Sequence, residues 1–520
     1  MPTPNYKKLN HFFKKETLGL KKFIKKDPRF FLFLLVTIAL AIFFRTYNYQ
    51  GRVHFQADNA QDIQIARFAA DNFKLPLAGP FSSAGPFFYG PWYFWFLEVA
   101  SFLPFGFLTH WYLLTFIHLV FVVLIFYLGY QVGGKWVGAF SALFAAISPA
   151  QIDSSLTVWN PAIIPILSLL VLIFLLKFYK ERKAIDLFLL SALVGLSITI
   201  HFQSLLIIPA ILAAIILIRP PAKNYLKHLL LLGLGFLTAF IPSIYLDSQI
   251  NWYNAKSLFI FLAIDQFNSW VPNRWLTYVF GYWPETWANI IGGSVWVASL
   301  LICVIFIFTL VALPKIRKNA SFFLIALTFL GEVILYRYYR GPRFHYYSFF
   351  THAPIFVMSG WGVFQLYKFK KVLGVFLLLV VFVFTSRVSA DSFKDKGLSL
   401  GKLQTVKEQI YSQYPGKSFD IYGCRANASS VSYPMALLMY NDKRDDTEGV
   451  KIGVCEGGSK VSWEELTALS DEKGIAWYER STKIVYYDTA EWWKKSPPSK
   501  NDHFLEFLKK NLSPGCYPHC

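Results

Sequence analysis

Apolar runs separated by short clusters of lysine and arginine recur along this chain from residue 30 to residue 387. A helix needs about 20 apolar residues to cross a bilayer, and most of these runs approach that length. At that depth no water is available, so each segment must satisfy its own backbone N–H and C=O groups. The chain is therefore predicted to be a polytopic α-helical membrane protein. Composition agrees, since only 16% of the 520 residues are charged, against about 25% in a soluble domain.

The basic clusters set the orientation. Residues 1–29 carry nine lysines and arginines against Glu16 and Asp27, and read as a basic cytoplasmic tail before a retained first helix. About eleven transmembrane helices are expected, at about 30–44, 111–132, 136–151, 161–177, 186–202, 204–218, 229–246, 289–313, 321–336, 349–367 and 372–387. This count leaves every inside loop basic. The apolar stretch 89–105 is interrupted by Pro91, Glu98 and Pro104 and loaded with Trp92, Tyr93 and Trp95. It is read as an interfacial segment of an outer loop, 46–110, rather than a span. Residues 30–388 form the membrane domain, and 389–520 a small extracytoplasmic α/β domain. Strands are expected at 418–423, 450–454 and 484–488, with helical character near Glu408.

The net charge of +20 lies in short runs between spans, where it meets lipid head groups. No soluble basic face with interleaved aromatics is present, so no nucleic-acid partner is expected. Cys303 reads as a packing residue. Cys424, Cys455, Cys516 and Cys520 could form disulfides in an exported domain, with pairing left open. None has zinc-site spacing.

Two outer-loop features point to chemistry. Asp58 and Asp62 are four residues apart, so a helix places both on one face. They could simply cap and solubilise a surface helix, or a carboxylate at an apolar boundary could gain the basicity of a general base. The loop Pro76–Trp92 holds four prolines and three glycines among its aromatics, and reads as a shaped surface for sugar or lipid. At the outer end of the ninth span, Arg337, Arg340, Arg343 and His345 run against the positive-inside trend. Guanidinium forks there suit phosphate oxygens. Glu98, Glu332 and Asp153 are weaker candidates, as acids beside apolar surroundings. Asn427-Ala-Ser429 matches a glycosylation pattern that nothing else in the chain supports.

Asp58-Asn-Ala-Gln-Asp62, Leu77-Ala-Gly-Pro80, Gly85 and Gly90-Pro-Trp-Tyr93 resemble the first outer loop of C-type membrane glycosyltransferases. The likeness is to bacterial relatives of protein O-mannosyltransferases and aminoarabinose transferases. Trp159-Asn-Pro161 resembles a second element of that group. The resemblance implies an inverting transfer of sugar from a polyprenyl-phosphate donor to a protein, lipid or glycan acceptor outside the plasma (inner) membrane. It implies a catalytic role for Asp58 or Asp62; the usual acidic pair is Asp-Glu, here Asp58-Asn59, so the choice between them stays open. Donor phosphate would meet Arg337, Arg340, Arg343 and His345. Trp159, Asn160, His201, Gln203, Tyr89 and Trp92 are candidate substrate-binding residues. No cofactor is expected; a divalent cation could sit near Asp58 and Asp62, but two carboxylates are too few to claim one. No nucleotide-binding motif appears. The rival reading is a lipid or glycan transporter or flippase, which tends to show repeated halves and midplane charges.

Overall fold

The computed structural model describes residues 27–82, 85–218, 222–265, 275–339, 343–394, 399–413, 415–417, 419–423, 434–435, 437–439 and 450–454. Six helices are long and apolar enough to cross a membrane: Pro28–Thr46 (α1), Gly106–Gly133, Asn160–Glu181, Val295–Lys315, Ala320–Tyr338 and Lys371–Asp391. Together they make a multi-pass membrane protein. The α-helical parts of the second and third are Thr109–Gly133 and Ile164–Glu181.

The shorter elements carry the site. After α1 come Tyr49–Arg52 (α2), Ala57–Asn72 (α3) and Trp92–Ser101 (α4), all in the segment read from the sequence as the first outer loop. Thr109–Gly133 (α5) is followed by Lys135–Ile147 (α6) and Pro149–Ser155 (α7). Then follow Ile164–Glu181 (α8), Ala184–Ile200 (α9), Ile208–Leu217 (α10), Ala222–Thr238 (α11) and Ile241–Gln249 (α12). Tyr253–Ala263 (α13) precedes Trp283–Ile290 (α14), Val295–Ala312 (α15), Ala320–Tyr338 (α16), His352–Phe369 (α17), Lys371–Asp391 (α18) and Leu400–Gln413 (α19).

The stretch expected to span 136–151 is broken instead. Ser148 is extended and Pro149 starts α7, so α6 has 13 residues, about 20 Å at 1.5 Å per residue. A helix ending inside protein leaves its last carbonyls without partners. Here side chains supply them. The buried Arg45 guanidinium donates to Ala145 O (3.2 Å) and Ala146 O (2.9 Å), and the Ser389 hydroxyl donates to Ile147 O. Arg52 likewise donates to Phe44 O (2.8 Å) and Tyr47 O (2.9 Å) at the end of α1.

Replacing Arg45 by methionine should therefore lower stability by about 3 kcal/mol, because two buried carbonyls lose their donor. Lysine should restore only part, having no planar fork. Thermal unfolding of the detergent-purified variants measures this, and an unchanged midpoint in Arg45→Met would refute the cap.

The expected 229–246 span is also bent, by 57° between Tyr225–Thr238 and Ile241–Gln249. Pro242 cannot donate to the turn before it, and the Trp92 indole N–H takes up the carbonyl of Ala239 at 2.7 Å. At the crossing of α9 and α11, a Cβ on Gly235 would lie 2.3 Å from Phe188 O and one on Gly195 2.6 Å from Phe236 O. Small residues let these two backbones touch.

In the C-terminal region, α19 and the parallel strands Phe419–Gly423 (β1) and Val450–Val454 (β2) occupy three of the expected elements, with Ile421 opposite Ile452. The expected strand 484–488, Asn427-Ala-Ser429, Cys424, Cys455, Cys516 and Cys520 lie outside the described residues, as does the tail 1–26. Leu400 N–H donates to Val53 O, while His54 N–H donates to Leu156 O (both 3.2 Å). The start of the C-terminal region is thus joined to the first outer loop a few residues before Asp58.

Candidate active site

Helix α3 starts after an extended Gln56, whose N–H donates to the Asn59 side chain at 2.9 Å. The Asn59 amide then donates to Val158 O at 2.6 Å, pinning the segment after α7 one residue before Trp159. Asn59 is buried and both ends of its amide are engaged. The position next to Asp58 is thus a structural clasp, and two carboxylates remain on this face.

Their environments differ. Asp58 is accessible and its charge reaches the Tyr346 hydroxyl. Crowding by protein raises its pKa above the ordinary carboxylate value. Asp62 is buried, and its pKa is pushed well above that value, first by desolvation and then by the neighbouring Asp58 charge. The buried Tyr93 hydroxyl of α4 lies within electrostatic reach of Asp62. Two carboxylates held at different basicity on one face can take different roles at one pH.

A folded-state pKa above the unfolded one makes the ionised form costly. Asp62 therefore lowers stability at pH values above its raised pKa, and that penalty disappears as pH falls towards the ordinary carboxylate value. Asp62→Asn should raise the unfolding temperature at neutral pH, with the gain fading on acidification. A lower midpoint at neutral pH would show that Asp62 is held by partners as an anion.

The proline-rich loop delivers Tyr89. Gly79 N–H donates to Tyr89 O and Tyr89 N–H to Pro80 O, closing a short ladder, while Gly90 N–H reaches Thr199 O at 2.6 Å. A Cβ on Gly79 would sit 2.1 Å from Gly90 O, so only glycine admits this approach. Tyr89 then stacks on His201, with ring centroids 5.4 Å apart and planes at 14°. His201 in turn meets Tyr346 (6.1 Å) and Tyr347 (5.6 Å), and Trp159 meets Tyr346 at 4.9 Å. Gln203 lies beside the Tyr339 hydroxyl.

The fold thus brings Asp58, Tyr89, Trp159, His201 and Gln203 together around the tyrosines of one segment. The polar groups of Asn160 and Trp92 are used elsewhere: Asn160 donates to Ile200 O at 2.7 Å and Trp92 caps the bent helix pair. His345 is exposed, its ring 5.6 Å from Tyr346. Asp153 pairs with His54 at 3.5 Å. Arg340 lies outside the described residues.

From Tyr346 a row of rings leads to the arginines. Tyr346 and Tyr347 are 4.7 Å apart, Tyr347 and Tyr339 6.0 Å, Tyr339 and Tyr336 6.1 Å. Arg343 lies over Tyr336, Tyr278 and Tyr282 at 5.1–5.7 Å. Arg337, only 5% exposed, lies over Trp275 and Tyr278 at 5.1 and 5.5 Å. Tyr278 and Tyr282 belong to a π-helical turn, a rare element that concentrates at functional sites.

Among the described residues no carboxylate forms an ion pair with either arginine. Arg337 Nε and Nη2 and Arg343 Nε are buried without hydrogen-bond partners among the described residues. Aromatic faces stabilise each guanidinium by about 0.5–2 kcal/mol, which does not replace a counter-ion. These aromatics escaped the sequence reading because belt aromatics look the same; the interleaving of Tyr336, Tyr339, Tyr346 and Tyr347 with Arg337 and Arg343 was the available signal, and Trp275, Tyr278 and Tyr282 had none.

Among the described residues no three His, Cys, Asp or Glu side chains converge as a metal site. No protein-family model matches the sequence, and no curated protein matches it. Solved structures do resemble it. ArnT from Cupriavidus metallidurans bound to undecaprenyl phosphate aligns over 86% of this chain and 88% of its own, with TM-score 0.54 and 12% identity. Its apo form aligns over 87% and 90%, with TM-score 0.52. The apo oligosaccharyltransferase of Archaeoglobus fulgidus aligns over 75% of this chain with TM-score 0.50 and 12% identity, and the chain spans 58% of that protein's length. The resemblance to C-type membrane glycosyltransferases read from the outer-loop motifs is thereby met at the level of fold.

Proposed function

We propose that this chain is an inverting membrane glycosyltransferase that moves a sugar from a polyprenyl-phosphate donor to an acceptor hydroxyl outside the inner membrane. The observation that carries the reading is an accessible carboxylate, Asp58, joined by one tyrosine row to two guanidiniums that lack a counter-ion. A donor phosphate at the arginines and an acceptor hydroxyl at Asp58 would complete that arrangement. The ArnT neighbour, of the same fold, is bound to undecaprenyl phosphate.

In this mechanism Asp58 takes the proton from the acceptor hydroxyl as its oxygen attacks the anomeric carbon. The bond from that carbon to the phosphate oxygen breaks, and the configuration inverts. Polyprenyl phosphate leaves with the electron pair, its new charge met by Arg337 and Arg343. Asp62, the less ionised carboxylate, orients the sugar or acceptor. Tyr89, His201 and Trp159 wall the sugar, with Gln203 beside them, and His345 and Arg340 are further candidates for the phosphate. No cofactor takes part. About eleven spans would put the N-terminus in the cytoplasm, and the site and the 389–520 α/β domain outside. That domain would present a protein, lipid or glycan acceptor.

The test is transfer of radiolabelled sugar from a panel of polyprenyl-phosphate donors by protein in liposomes, with product anomers assigned by NMR. Inverted product supports the reading. Movement of labelled lipid between leaflets without any product would replace it with a flippase.

A further inference from the structure

Beneath the site, a polar chain crosses the apolar core with no part in the proposed chemistry. His118 of α5, Gln151 of α7 and His352 at the start of α17 are 2%, 0% and 1% exposed. His118 Nε2 meets Ala162 O at 3.1 Å, and Nδ1 meets the Gln151 side-chain amide at 3.0 Å; that amide's other end contacts His352 Nδ1.

The two ends of this chain hold the two loops that make one wall of the site. Ala162 N–H donates to Trp159 O (3.2 Å), so His118 grips the turn carrying Trp159. His352 closes the turn His345–Thr351, which carries Tyr346, and its ring lies 5.0 Å from Phe349. Phe349 is 6.0 Å from Trp159.

Hydrogen-bond parity fixes the protons. A carbonyl only accepts, so His118 Nε2 carries a hydrogen, and a neutral ring then has Nδ1 as an acceptor. Gln151 must turn its NH2 to His118 and its oxygen to His352, whose Nδ1 carries the hydrogen. An amide turned end for end occupies the same heavy-atom positions. The opposite orientation would put two hydrogens on His118 and bury a cation with no anion beside it, a far costlier state. A satisfied chain of this kind fixes one geometry where apolar side chains would allow several.

We propose that His118, Gln151 and His352 are positioning residues, a neutral imidazole–amide–imidazole chain that locks the Trp159 loop against the Tyr346 turn beside Asp58. The proposal rests on the glycosyltransferase reading above. Small displacements at a reacting centre can cost about 10²-fold, so the chain acts on the rate rather than on donor binding, which the arginines carry.

Gln151→Leu should lower kcat about tenfold or more, leaving polyprenyl-phosphate affinity within about twofold. Because that variant strands two imidazoles, a triple replacement of His118, Gln151 and His352 by leucine is its partner. It should fold at least as stably as wild type and still be slow, which a purely structural role would not produce. In a Trp159→Phe background the Gln151→Leu loss should shrink to under about twofold, since both act through one ring. ¹⁵N NMR of histidine-labelled protein in nanodiscs should show His118 protonated at Nε2 only and His352 at Nδ1 only. A doubly protonated His118, wild-type kcat in the triple variant, or additive losses with Trp159→Phe would each overturn the proposal. Absence of transfer by the wild-type protein would instead overturn the glycosyltransferase reading, and this proposal with it.

Discussion

Asp58→Asn is expected to reduce sugar transfer by about 10²- to 10⁴-fold, the contribution of a positioned general base. The amide has nearly the same shape, so Tyr346 and the Asn59 clasp keep their places and only proton acceptance is lost. Polyprenyl-phosphate binding, which falls to the arginines, should be unchanged. Asp62→Asn should act differently. Its carboxylate is buried and already holds its proton more tightly than Asp58, so the amide should cost far less rate while gaining stability.

The pH profile separates the two further. With Asp58 as the proposed base, transfer needs its ionised form, so activity should fall as pH drops through its pKa. Because crowding raises that pKa, the acid limb should lie above the ordinary carboxylate range. Asp58→Asn should abolish the limb along with the rate. Equal and full activity in both variants would remove the carboxylates from the mechanism.

Much of this was legible in the sequence, and the failures have physical causes. The spanning helices are visible because bilayer thickness imposes an apolar length on them. The breaks at Ser148 and Phe240 are not, since a broken helix is as apolar as a continuous one. Only Pro149 and Pro242 mark them, and the partners that make the breaks tolerable, Arg45, Ser389 and Trp92, lie far away in sequence.

Asp58 was found from i,i+4 spacing. Asn59 stands where the family pattern has a second acid, and its bond to Val158 O makes it a clasp. Trp92 was a candidate substrate-binding residue from its place in the loop, and the bond from its N–H to a backbone carbonyl far along the chain could not be read there. Arg337 and Arg343 stood out by charge on the wrong side. The aromatic cage around them did not, because tyrosine at a membrane boundary needs no special explanation.

That cage makes the second large effect a two-signed one. Without ligand, Arg337 is a buried cation with two nitrogens unpartnered among the described residues, and such a group costs stability. Arg337→Met should therefore melt at a higher temperature than wild type when both are free of lipid. Adding polyprenyl phosphate should reverse the order. Wild type should gain about 2.7 kcal/mol at a hundredfold excess over its Kd, and the variant should gain almost nothing. Its affinity should fall by about ten- to hundredfold, the worth of a charge-assisted hydrogen bond to phosphate.

Arg343→Met should show the same crossing of the two curves. It should be less marked, since Arg343 already spends one Nη2 on Arg337 O and Tyr339 O. Arg337→Lys keeps the charge but neither the fork nor the flat face over Trp275, and should recover only part of the ligand shift. The leaving phosphate is more negative than the esterified donor, so both arginine variants should lose more in kcat than in donor KM. A thermal-shift titration with polyprenyl phosphate decides the matter. If wild type and Arg337→Met shift alike, the guanidinium is not the phosphate site, and the uncompensated charge has another use.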